Sequence, residues 1–188
     1  MIRTLLNFTC KSRCVAAGLG AIVLLLNTAC SEDAVLTAPT NSEPVLALNP
    51  SAEDRTSLDA AIAAVDNSWN SMDATAYAAN FASDARATTP LGVLLIDRAG
   101  VLTAHQGLFA GPFRGSRRAS VVSNILWLAA TRAAVERTNE LTGYQFLPPG
   151  LQATLPGIVR TRESLVFERR SVTWTIVRAQ LTGVPPTP

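Results

Sequence analysis

The sequence predicts an α+β domain in which three helices come first and an antiparallel or mixed sheet follows. Three observations carry this. Apolar residues recur every three or four positions up to about residue 110 and at alternate positions after about residue 117, so the period changes from helical to extended. The change falls inside Asp97–Leu128, DRAGVLTAHQGLFAGPFRGSRRASVVSNILWL, which also holds the only histidine, His105. The extended runs beyond it are joined by loops alone, the pattern of neighbouring antiparallel strands.

Taken from its start, the chain opens with an export signal over residues 1–29. Arg3, Lys11 and Arg13 form a basic head without acids, and Val15–Leu26 is an apolar run of 12 residues. A bilayer span needs about 20. The following LLLNTAC resembles a bacterial lipobox, with Asn27 where leucine is preferred and Cys30 at the position that is lipidated. A plain signal peptide cut near Ala29 is the alternative. Lipidation of Cys30 would make the membrane a partner, and Ser31 and Glu32 lack the aspartate of an inner-membrane retention signal. The expected location is therefore the periplasmic face, at the outer membrane where one exists. Cys10 and Cys14 leave with the signal, so the mature chain can form neither an internal disulfide nor a thiolate zinc site.

Cleavage also removes three basic residues, leaving 13 basic against 14 acidic and a net charge of about −1. A balance of that kind does not predict a nucleic-acid partner. Residues 30–52 are small, polar and proline-punctuated, which predicts a flexible tether. Residues 53–183 form the domain and 184–188 a tail.

Start signals at Asn49 to Ser51 precede Leu58, Ile62, Val65, Trp69 and Met72, one apolar helical stripe, with Asp59, Asp66 and Asn70 off it. Asp73 caps a short second helix, ATAYAANFA, in which Tyr77 and Phe81 are four apart. Ser83–Thr89 reads as a first strand, Pro90–Gly92 as a turn and VLLI as a second apolar run. Asp97 caps a third helix whose face is Val101, Leu102, His105, Leu108 and Phe109.

Four strands complete the domain, over Arg117–Leu128, Ala133–Leu141, Val159–Arg169 and Val172–Leu181. A turn near Gly150 sets Val135 opposite Leu165, Arg137 opposite Glu163 and Glu140 opposite Arg160. A turn about Arg170 and Ser171 sets Phe167 opposite Trp174, Leu165 opposite Ile176 and Glu163 opposite Arg178. Each such pairing of opposite charges or apolar groups contributes a few tenths to about 1 kcal/mol. Together they predict a sheet face with an apolar end and a polar row of Arg137, Glu163 and Arg178, with Ser123 or Asn124 near it.

VDNSWNSMD, the short helix into FASDA, LLIDRAGVLTAHQGLFAGPFRGSR and the closing WTIVRAQLT together resemble the SgcJ/EcaC group of the nuclear transport factor 2-like superfamily, related to SnoaL-like and ketosteroid isomerase-like proteins. The resemblance spans residues 53–183. It implies a cone-shaped roll, three helices on a curved sheet that enclose a pocket, and a homodimer through the outer face of the sheet. It implies no single reaction, because this fold hosts isomerases, dehydratases, cyclases and binding proteins. No cofactor is expected, since no GxGxxG follows a strand; with one histidine there is no HExxH or other multi-histidine metal site, and no GxSxG elbow is present.

His105, on the apolar face of its helix, is a candidate acid, base or ligand contact, although a buried, hydrogen-bonded structural histidine is the commoner outcome. Glu163 is its candidate catalytic partner. Arg137, Glu163 and Arg178 can orient a ligand or form a structural ion-pair row. Trp69 and Tyr77 can line a pocket or fill a core. Arg114, Arg117 and Arg118 read as a solvated basic cluster or an anion contact. The leading functional expectation is a lipid-anchored envelope domain that binds a small, largely apolar ligand. The alternatives are an isomerase, dehydratase or hydrolase using His105 and Glu163, and a non-catalytic dimeric module whose pocket is filled by its own side chains.

Overall fold

The computed structural model describes residues 49–186, so the expected export signal, Cys30 and the expected tether up to residue 48 lie outside the described residues. Helix α1 (Ala52–Asn70) begins at a capping box: the Ser51 hydroxyl accepts from the Asp54 amide at 3.0 Å and the Asp54 carboxylate accepts from the Ser51 amide. Its stripe of Leu58, Ile62, Val65 and Trp69 is buried. The Asp73 carboxylate caps α2 (Ala74–Ala79) through the Ala76 amide. This helix is shorter than the sequence predicts. Asn80 turns its side-chain amide back onto the carbonyls of Ala76 and Tyr77, and Phe81 already opens strand β1 (Phe81–Thr88).

Gly92, at φ 77°, turns the chain into β2 (Leu94–Ile96), antiparallel to β1. Helix α3 (Asp97–Ala110) starts with the Asp97 carboxylate accepting from the Gly100 amide, and it buries Val101, His105 and Phe109. Strands β3 (Arg117–Ala129), β4 (Arg132–Thr142), β5 (Ile158–Arg170) and β6 (Thr173–Gly183) complete a six-stranded sheet of order β2-β1-β6-β5-β4-β3. Among the described residues only β1 and β6 pair in parallel. The core joins Leu58, Val65 and Val101 from the helices to Val135, Leu165, Phe167, Trp174 and Ile176 from the sheet.

Between β4 and β5 the register is the expected one, with Val135 facing Leu165, Arg137 facing Glu163 and Glu140 facing Arg160. Between β5 and β6 it is not. Phe167 faces Ile176, Glu163 faces Leu181 and Arg178 faces Val166. Two local features move it. The turn residues are Ser171 and Val172, with Ser171 at φ 62°, so Arg170 pairs with Thr173. A bulge then places Val177 as an extra residue in β6, and one extra residue reverses the face of every side chain beyond it. Arg178 is thereby turned to the exposed outer face and leaves the polar row. A second bulge, between Val122 and Asn124, does the same to Ser123 and Asn124: both are exposed, and the Ser123 hydroxyl donates to the Glu136 carbonyl.

The two ends of the sheet differ. At the β5–β6 hairpin, Arg169 pairs with Asp54 and the Trp174 indole N–H donates to the Ser57 hydroxyl at 3.0 Å, which staples the start of α1 there. The other end is formed by Asn139 and Leu141 of β4, Val159 and Thr161 of β5, and Ala179 and Leu181 of β6. Ordered pairing continues one residue past Gly183, where the Val184 amide donates to the Arg160 carbonyl.

Candidate functional site

At this second end the sheet and α3 stand apart around a cavity of about 300 Å³. Its walls are Phe81, Val101, Leu108, Phe113, Val159 and Leu181, with Trp69 and Tyr77 from the first two helices. The rim is formed by Pro90, Leu91 and Val93 from the β1–β2 turn and by Pro148 and Leu151 from the β4–β5 loop. Turn and loop meet where a Cβ on Gly150, whose φ is 89°, would lie 3.2 Å from Leu91 Cδ2. Trp127 takes no part in closing the hollow; its ring packs edge-on to Trp174 at 5.7 Å.

His105 lies on the cavity wall, 8% exposed. Its ring stacks on Tyr77 at 4.0 Å between centroids and meets the rings of Trp69 and Phe109 edge-on. Its Nδ1 is 2.8 Å from the Val101 carbonyl one turn earlier in α3. A carbonyl can only accept, so the neutral ring carries its proton on Nδ1 and a lone pair on Nε2. Burial, reinforced by the charge of Arg118 and opposed by the Val101 bond and Glu163, lowers its pKa to about 4. At neutral pH the ring is an uncharged acceptor and a weak base.

Beneath the cavity lies a layer of paired charges. Arg118 donates to Asp66 at 2.8 Å and to the Val65 carbonyl at 3.1 Å. Arg137 reaches the same Asp66 oxygen at 3.3 Å and donates through Nε to Glu163 at 2.5 Å. Asn139 donates to Glu163 and to the Thr161 hydroxyl, while the Ser120 hydroxyl holds its single proton between the Asp66 and Asn139 oxygens, 3.0 and 2.8 Å away. Burial alone would raise the Glu163 carboxyl, but Arg137, Arg118 and the Asn139 amide outweigh it and hold the group below its ordinary range. Two cations and two anions close the account. Arg118 also lies over the faces of Trp69 and Tyr77, 4.8 and 5.5 Å from their ring centroids.

Sequence expectations meet this geometry unevenly. Trp69, Tyr77 and His105 line the cavity. Arg137 and Glu163 are brought together, but in the charged layer and not on the cavity wall; Arg178 is remote from both. The basic cluster is divided, because Arg114 and Arg117 are exposed while Arg118, the second residue of β3, points inward and is 6% exposed. Asp66, Asn139 and Thr161 were not singled out as site residues, and Arg118 was read only as a member of that basic cluster. The signal for Asn139 and Thr161 was parity, since each is two residues from a member of the Arg137–Glu163 pair and so shares its face.

No family model and no curated protein matches this chain. Solved structures do. An uncharacterised protein with a cystatin-like fold from Caulobacter vibrioides superposes with a TM-score of 0.60 at 20% identity, covering 71% of this chain and 92% of its own. A ketosteroid isomerase-like protein from Erwinia carotovora atroseptica gives 0.57 at 15% identity, covering 72% and 100%. The fold is nuclear transport factor 2-like. A hexachlorocyclohexane dehydrochlorinase gives a further 0.57 at 10% identity, covering 71% of this chain and 93% of that one. At such identities the nuclear transport factor 2-like likeness concerns the backbone alone, and the chemistry has to be argued from this chain's own residues.

Proposed function

We propose that this protein binds a small, largely apolar ligand in its cavity and does not turn it over. One observation carries the reading: a hollow of about 300 Å³, at the low end of small-molecule sites (roughly 300–1,000 Å³), has apolar walls and a neutral histidine among them. Glu163, the carboxylate that a catalytic pair would need, is held by Arg137 and Asn139 behind the wall. A second reading, an isomerase, dehydratase or hydrolase using His105, draws support from the unpaired Nε2 facing the same cavity.

The proposal extends to setting. The lipobox-like LLLNTAC supports anchoring through lipidated Cys30 at the periplasmic face of the envelope, and FRGSR with His105 supports a place in the SgcJ/EcaC group. Val121, Leu126 and Leu128, exposed along the edge strand β3, support self-association through the outer face of the sheet. Native mass spectrometry of the full chain, under gentle and then harsh activation, tests the binding claim and the dimer together. A dimer with excess mass that leaves on activation is expected; a bare monomer rejects both. Growth with a lipoprotein signal peptidase inhibitor tests the anchor, with accumulation of precursor as the expected result.

A further inference from the structure

The polar groups on the cavity wall divide by how fully they are used. Asn139 is saturated, since its amide donates to Glu163 and Thr161 and its oxygen accepts from Ser120. Arg118 is committed through its two terminal nitrogens to Asp66, the Val65 carbonyl and the Tyr77 oxygen, and its Nε, which has no partner among the described residues, is sealed from the open volume. Apart from Thr88 and Thr89, which precede the rim turn, three groups are used only by half. His105 gives its Nδ1 proton to Val101 and has no partner for Nε2 among the described residues. The hydroxyl oxygens of Tyr77 and Thr161 accept, from Arg118 at 3.4 Å and from Asn139 at 3.2 Å, while neither O–H proton has an acceptor among the described residues. An unpaired acceptor and two unpaired donors on a mostly apolar wall are expensive to leave dry.

We propose that the cavity takes an apolar molecule bearing one uncharged hydroxyl, a phenol or an alcohol, whose O–H is donated to His105 Nε2 and whose oxygen accepts from a hydroxyl of the wall. This rests on the cavity being a binding site and specifies what fills it. Competing polar heads fit less well. A carboxylate would add an uncompensated negative charge beside a layer in which Asp66 and Glu163 already balance Arg118 and Arg137. An ammonium would find no carboxylate on the wall, because Asp66 and Glu163 do not line the cavity. A ketone or ether supplies no proton for Nε2, and a hydrocarbon satisfies none of the three groups. The volume limits the body of the ligand to about one substituted ring.

Four probes of nearly equal size separate these possibilities: 4-propylphenol, 4-propylanisole, propylbenzene and 4-propylbenzoate, titrated calorimetrically into the full chain at pH 7. The phenol is expected to bind at least about tenfold more tightly than the anisole or the hydrocarbon, as for a buried hydrogen bond gained or lost, and the benzoate not to bind. His105→Phe, which keeps an aromatic ring against Tyr77 and removes the acceptor, is expected to lower phenol affinity to that of the anisole and leave propylbenzene unchanged. Equal binding of phenol and propylbenzene to the unaltered protein would overturn the hydroxyl assignment while leaving the cavity as an apolar site. Binding of the benzoate in preference to the phenol would overturn it as well. Failure of all four would overturn the binding reading itself.

Discussion

The charged layer and the polar groups on the cavity wall above it differ in how many of their hydrogen-bonding positions are filled. In the layer, Asp66, Arg118, Arg137, Glu163, Asn139 and Ser120 use one another, and Arg118 and Arg137 each keep a single nitrogen without a partner, Nε and one terminal amino group respectively. Groups that use one another have little left for a visitor. On the cavity wall, His105, Tyr77 and Thr161 each retain an open position. Polarity alone therefore does not mark a site in this molecule; residual hydrogen-bonding capacity next to an open volume does.

The largest effect should come from breaking the layer. Arg137→Met leaves Glu163 buried without its principal partner, and a loss of about 3–5 kcal/mol in urea-unfolding free energy is expected. Arg137→Met with Glu163→Leu, which removes both charges, should lose clearly less. If the double variant loses as much as the single one, pairing is not what the layer contributes.

Next in size is the pH dependence of His105. Its ordinary pKa of 6.5 falls to about 4 in the folded chain, so between these values the unfolded chain binds the extra proton. Stability therefore rises with pH across that window, and the contribution, roughly 3 kcal/mol, is complete above about pH 6.5 and gone below about pH 4. Tyr77 from α2 stacks on this ring, and the charges that act on it are Arg118 from β3 and, from behind the wall, Glu163 from β5. His105→Phe should flatten the unfolding free energy by about one proton's slope between pH 4.5 and 6; an unchanged slope would place the linkage on another group.

The smallest effect tests the comparison from outside. Arg178 has the same charge as Arg137 but sits on the outer face, so Arg178→Ala should change stability by no more than about 0.5 kcal/mol. A loss of 2 kcal/mol or more in the same urea titration would reinstate it in the buried row.

Arg178 also marks where sequence reasoning runs out. The β4–β5 register was legible because Arg137 and Glu163 on one face and Glu140 and Arg160 on the other all agree on one alignment. The β5–β6 alignment offered an equally plausible set of pairs and was displaced by the bulge at Val177, a backbone event that no side-chain pattern announces. Although Asp97 is the first residue of α3, whose N-cap is Ile96, the helix caps at Ser51 and Asp73 were legible because a short oxygen-bearing side chain before a periodic run has few other uses. Arg118 was not. GSRR straddles a loop and a strand, and only the strand's phase decides which arginine turns inward. Asp66 was misjudged as lying off the apolar stripe, although it is four residues after Ile62 and three before Trp69, on the flank of α1 that meets β3.

The start of α1 is stapled to the β5–β6 hairpin through Asp54–Arg169 and Ser57–Trp174, about ten residues along β5, some 30 Å, from Val159 at the cavity. The start of α1 is thus fixed at one end of the domain, and the cavity opens at the other. A pull applied through the preceding chain would load the Asp54–Arg169 staple and the hairpin first and reach the rim of Leu91 and Gly150 last. Tension entering at the stapled end would leave the opposite, open end unloaded.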